Sequence, residues 1–108
     1  MPLTRDFRET TMEQLAKSAA FRRAFLSEAL NVMLDGEVDL GKSLLRDYIN
    51  GTVSFPKLAE MMKRSPKSLM RMLSVGGNPQ AKNLFELISI LQKNEGVRLE
   101  LRARKIAA

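Results

Sequence analysis

Lys67 and Arg71 stand four residues apart in the stretch SPKSLMRMLSVGGNP, residues 65–79, with Ser68 and Ser74 flanking them. Residues at that spacing are neighbours on one face of a helix, and Leu69 and Leu73 then point the other way. A guanidinium can grip a guanine edge with two parallel hydrogen bonds, and an ammonium serves a guanine or a phosphate. Ser65 followed by Pro66 is a strong helix start, because the hydroxyl caps an orphan N–H and the ring is pre-set for the first turn. A helix N-terminus of this kind can also face a phosphate. Just beyond, Asn78, Gln80 and Lys82 can hold a phosphate backbone on the far side. The chemistry on offer is polar recognition of a polyanion. The plainer reading of Lys67 and Arg71 is a solvated basic face.

Other chemistries lack their residues. The chain has no histidine and no cysteine, which removes the commonest general base, the commonest metal ligand, thiolate sites and disulfides. Asp35, Glu37 and Asp39 resemble a metal cluster, but they sit at a corner between helices, where acids complement a helix start. No Gly-rich phosphate loop and no convincing carboxylate pair is present. The sequence therefore points away from an enzyme, a metal site and a cofactor. Net charge is +6 and unevenly placed: residues 1–51 carry seven basic and eight acidic side chains, residues 52–108 eleven and four. Between Met61 and Phe85 there are five cations and no acid. A one-sided field of that kind favours a polyanionic partner.

The elements that must position these groups read as helices of one domain over 1–108. At 44% hydrophobic residues the chain can build a core. MPLTRDFRETT has no apolar run, and AFLSEALNVML is broken by Glu28 and Asn31 and too short for a bilayer. A cytoplasmic protein without a membrane partner is the expectation. Thr10 or Thr11 is placed to cap a first short helix through MEQLAKS, with Glu13 or Gln14 as the capping-box partner. A second helix covers about Ala19 to Leu34, with Phe21, Phe25, Ala29 and Val32 on one stripe, and Gly36 ends it. A third runs from Val38 to Asn50, with Leu40, Leu44, Leu45, Tyr48 and Ile49 sharing a face. FPKLAEMMK, residues 55–63, reads as a fourth. After the quoted helix, Gln80 to Asn94 carries Leu84, Leu87, Ile88 and Leu91 at buried-stripe spacing. Met61, Met62, Met70 and Met72 read as core or its margin. In VRLELR the period becomes two, which predicts a strand at 97–102 that needs a partner, such as the same strand of a second copy.

Two short helices joined by a tight turn and braced by a third form a helix-turn-helix, whose second helix enters the DNA major groove. A groove about 12 Å wide explains why the helix is short, and its two jobs explain why it is one-sided. LAEMMKRSPKSLMRML resembles the Xre/Cro-type helix-turn-helix, with Leu58, Ala59, Ser65 and Leu69 at its signature places. LLRDYIN, PKSLMRM and GNPQAKNLF resemble a narrower group, the HigA-like addiction-module antidote (antitoxin) proteins. The resemblance implies an all-α, five- to six-helix, lambda repressor-like domain. Residues 1–51 would pack on a 52–96 helix-turn-helix core, and a C-terminal β-strand would pair in a homodimer. It implies a transcriptional regulator that binds a palindromic operator in double-stranded DNA and a cognate toxin. The helices of residues 1–51 either simply complete the core or turn Glu9, Glu13 and Glu28 outward to meet a basic toxin. Three positions depart from the broad pattern. Lys63 stands at the turn glycine, Arg64 replaces an apolar residue, and Phe55 replaces a phosphate-clamping glutamine. A stand-alone prophage-type repressor, or a toxin-binding module without DNA binding, would carry the same features.

Overall fold

Ser18 accepts a hydrogen bond from the Phe21 N–H at 3.1 Å and is the single residue between two helices. The computed structural model describes residues 2–107, with side chains from residue 7 onward. Six helices follow one another: α1 Pro2–Lys17, α2 Ala19–Leu34, α3 Val38–Gly51, α4 Phe55–Met62, α5 Pro66–Met72 and α6 Ala81–Glu95. The first does not start at Thr10 or Thr11. It runs through both, and the Thr11 hydroxyl donates to the Phe7 carbonyl one turn back at 3.0 Å, a bond threonine can make inside a helix instead of capping one.

One core draws on every helix. Leu15, Leu26, Leu45, Leu58, Leu69 and Leu87 are each fully buried, one per helix in chain order. Helices α2 and α3 approach closely at Gly41, where a Cβ would lie 2.9 Å from the Ala29 carbonyl oxygen and 2.2 Å from Met33. Leu40 is 47% exposed rather than part of the buried face. It lies in the first turn of α3, next to Gly41, which takes the contact with α2.

The two halves are also tied by polar groups. Arg22 of α2 donates from Nε to both oxygens of Glu95 on α6, at 3.1 and 2.9 Å. Its Nη1 donates to the Leu15 carbonyl at 3.2 Å. The fully buried Tyr48 of α3 donates its hydroxyl to the same Glu95. A buried carboxylate is tolerable when its lone pairs are matched in this way.

The strand expected at 97–102 is not formed; among the described residues there is no strand at all. With every other element helical, the segment has no ladder to join, and alternation alone cannot satisfy a strand's backbone. The alternation survives in burial: Val97 and Leu99 are half-buried, Arg98 and Glu100 exposed. No helix among the described residues is long and apolar enough to cross a membrane.

Candidate nucleic-acid interface

Helix α5 has seven residues and the start its sequence demands. Ser65 sits at φ −80° and ψ 148° with its hydroxyl accepting from the Ser68 N–H, and Pro66 is the first helical residue. Leu69 and Leu73 are completely buried. They anchor one side to the core and leave the opposite side outward.

That outward side carries Lys67, Met70 and Arg71, all exposed. Lys67 and Arg71 form no ion pair or hydrogen bond through their side chains to another described residue. Met70, expected in the core or at its margin, is 46% exposed beside them, and Met61 of α4 is exposed too. Helices of seven and eight residues bury a narrow stripe, and α4 fills its own with Leu58, Ala59 and Met62. Ser68 is half-buried. Ser74 is also half-buried, and its hydroxyl donates to the Arg71 carbonyl at 2.8 Å. Asn78, Gln80 and Lys82 are exposed, in the loop and at the start of α6. The eight sequence-derived residues thus separate into an outward group and three hydroxyls, two of which, Ser65 and Ser74, secure the helix ends.

The departures at the turn have plain outcomes. Lys63 adopts the left-handed conformation, φ 57° and ψ 45°, that a turn glycine would take. Arg64 turns away from α5: its Nη2 donates to Asn83 Oδ1 at 2.8 Å and lies 3.6 Å from Glu86 Oε2, both on α6. Phe55 is buried and offers nothing to a phosphate.

Two residues that the sequence reading missed hold the far end of α5. Lys42 of α3 is 2% exposed. Its ammonium donates to the Ser74 carbonyl at 3.0 Å and the Gly77 carbonyl at 2.6 Å, and lies 3.1 Å from Asp39 Oδ1. Three partners match three ammonium donors, the condition for burying a charge. One turn along α3, Arg46 donates from Nη1 to the Leu73 carbonyl. Two cations therefore cover the carbonyl end of α5, where the helix dipole favours them. Gly77 completes the lock, since a Cβ there would sit 2.2 Å from the Arg71 carbonyl oxygen. The available signal was Lys42 itself, a lysine three residues before Leu45 and seven before Ile49, on their buried face. Asp39 is drawn into this pairing, and no group of acids among the described residues could hold a metal.

The assembled surface is a short, basic helix, buried along its back, with a loop beside it held by Lys42. Such a surface can present a guanidinium to base edges and ammonium groups to phosphates. No family model matches this chain, and no curated protein or solved structure matches it.

Proposed function

We propose that the protein is a sequence-specific DNA-binding regulator. Its reader is α5, inserted in the major groove, and two copies act together on a palindromic site. The observation that carries this reading is the outward face of α5. Lys67 and Arg71 are free of internal partners there, on a helix whose back is buried and whose end is fixed by Lys42 and Arg46. Met70 beside them adds an apolar contact of the kind that suits a thymine methyl. The surplus positive charge of residues 52–108 supplies the sequence-independent attraction to phosphate. The narrower role, an antitoxin that represses its own operon and neutralises a small basic toxin, rests on the resemblance of LLRDYIN, PKSLMRM and GNPQAKNLF. Glu13 and Glu28 are exposed for such a partner.

The test uses duplexes selected from a random library, with affinity measured at three salt concentrations. Arg71→Ala should lose about 1–3 kcal/mol on the selected site and relax preference at one position. Lys67→Ala should weaken all sequences alike and reduce the salt slope by about one unit. Leu69→Ala is the folding control, expected to destabilise by roughly 2–5 kcal/mol. If Arg71→Ala binds the site as tightly as the parent does, with the same salt slope, α5 is not the reader. A toxin-binding module without DNA binding then becomes the better description.

A further inference from the structure

A cleft of about 430 Å³ opens where the end of α2, the start of α3 and α6 meet the segment after Gly96. Its walls include Leu34, Val38, Phe85 and Leu101, all exposed, Leu101 at 81%. An apolar patch of this kind on a small charged protein marks a surface that another body covers.

The adjoining segment specifies the body. Val97 donates its N–H to the Gln92 carbonyl at 3.0 Å, and Leu99 donates to Gln92 Oε1 at 2.7 Å. The Val97 bond closes α6 just past the left-handed Gly96, and the Leu99 bond two residues on, with Val97 and Leu99 half-buried and Arg98 and Glu100 exposed, follows the two-residue period of an extended segment. In such a segment successive residues turn their N–H and C=O groups to opposite edges. One edge, that of Val97 and Leu99, faces α6. The other, that of Arg98 and Glu100, engages no backbone hydrogen bond among the described residues.

We propose that the free edge and the cleft take a second copy of this chain, with residues 97–101 of the two copies pairing antiparallel about Leu99. This deepens the two-copy part of the reading above. The free edge and the charges select the register together. Both copies must use the edge of Arg98 and Glu100, so even-numbered residues face one another. A ladder centred on Glu100 sets Glu100 against Glu100 and Arg98 against Arg102. One centred on Leu101 sets Arg98 against Arg104, and one centred on Arg98 opposes two arginines. Centring on Leu99 sets Arg98 against Glu100 twice, with no like charges opposed, and cross-strand charge pairs of this kind decide register. On the other face, Val97 then meets Leu101 of the second copy, so the most exposed apolar side chain of the cleft is covered.

The chain has no cysteine, so single cysteines report the register in the full-length protein. Leu99→Cys should oxidise to a covalent dimer, because residues opposed at the centre of this ladder lie about 4.5 Å apart at Cα, within disulfide reach. Leu101→Cys alone should not cross-link, but mixed with Val97→Cys it should. In sedimentation equilibrium, Arg98→Glu should weaken the dimer about tenfold, and adding Glu100→Arg should restore it. A parent that stays monomeric at roughly 0.1 mM, a concentration that would populate even a weak dimer, overturns the proposal. So does self-linking of Leu101→Cys in preference to Leu99→Cys, or a charge swap that fails to restore association. No DNA enters these measurements, so their failure and the failure of α5 as reader are seen separately.

Discussion

Lys63 shows how a single residue can carry a turn that its side chain does not favour. At φ 57° its Cβ crowds the backbone, a conformation that costs an L-residue roughly 1–2 kcal/mol. The turn is kept because the buried Leu58 and Ala59 on one side and Leu69 and Leu73 on the other fix α4 and α5 in the core. Replacing Lys63 by glycine removes the strain but enlarges the freedom of the unfolded chain by roughly 0.4–1 kcal/mol. Lys63→Gly should therefore stabilise the protein by about 0.5 kcal/mol, read as a higher urea midpoint with an unchanged slope. The position was legible from the turn-glycine comparison. Ser54, at φ 75° and ψ 153° before α4, lies in a region that is almost glycine's alone, and nothing in its neighbours announced it. Its conformation follows from α3 and α4 both being fixed by the core.

Helix α5 depends on α3 more than on itself. A helix of seven residues is far below the length that is stable alone in water. Its position is set by Leu69 and Leu73 on the inside and by Lys42 and Arg46 at its end. Lys42→Met keeps the length of the side chain but leaves the Ser74 and Gly77 carbonyls without their donor. The expected cost is about 1–3 kcal/mol in urea unfolding. Hydrogen exchange should quicken in residues 74–79, and affinity for the selected duplex should fall although Lys42 itself is buried. Unchanged exchange in that loop, with affinity intact, would show that the loop holds itself. The cap, the proline and the leucine spacing of α5 could be read locally. The dependence on α3 could not, because the lysine donates across 32 and 35 residues of sequence.

The whole molecule closes through Arg22, Tyr48 and Glu95, which join α2, α3 and α6. Burial, and then the hydrogen bond to Glu95, push the Tyr48 phenol well above its ordinary value of 10.0. The unfolded chain ionises at that ordinary value while the folded chain does not. Tyr48 therefore stabilises the fold fully below about pH 10, and that contribution is lost as pH rises further, by at most about 1.4 kcal/mol per pH unit. Tyr48→Phe should cost about 1.5–3 kcal/mol at neutral pH, and the gap to the parent should narrow above pH 10. Tyr48 is the chain's single tyrosine, so phenolate absorbance reports its titration directly; an ordinary midpoint in the folded protein would contradict the buried bond to Glu95. The sequence by itself determined that helices lie at 19–34, 38–50, 55–63 and 80–94, which residues face inward along most of them, and where α5 begins, but not how far α1 extends toward Pro2. Those features follow from period, caps and breakers within a few residues. Only the tertiary structure decided that Lys42 and Arg46 secure α5, that Arg64 leaves the basic face for α6, that Met70 joins that face, and that residues 97–101 form no strand within the described residues. Period tells which side of an element is apolar. What stands opposite that side depends on how the six helices pack, and no local pattern carries that information.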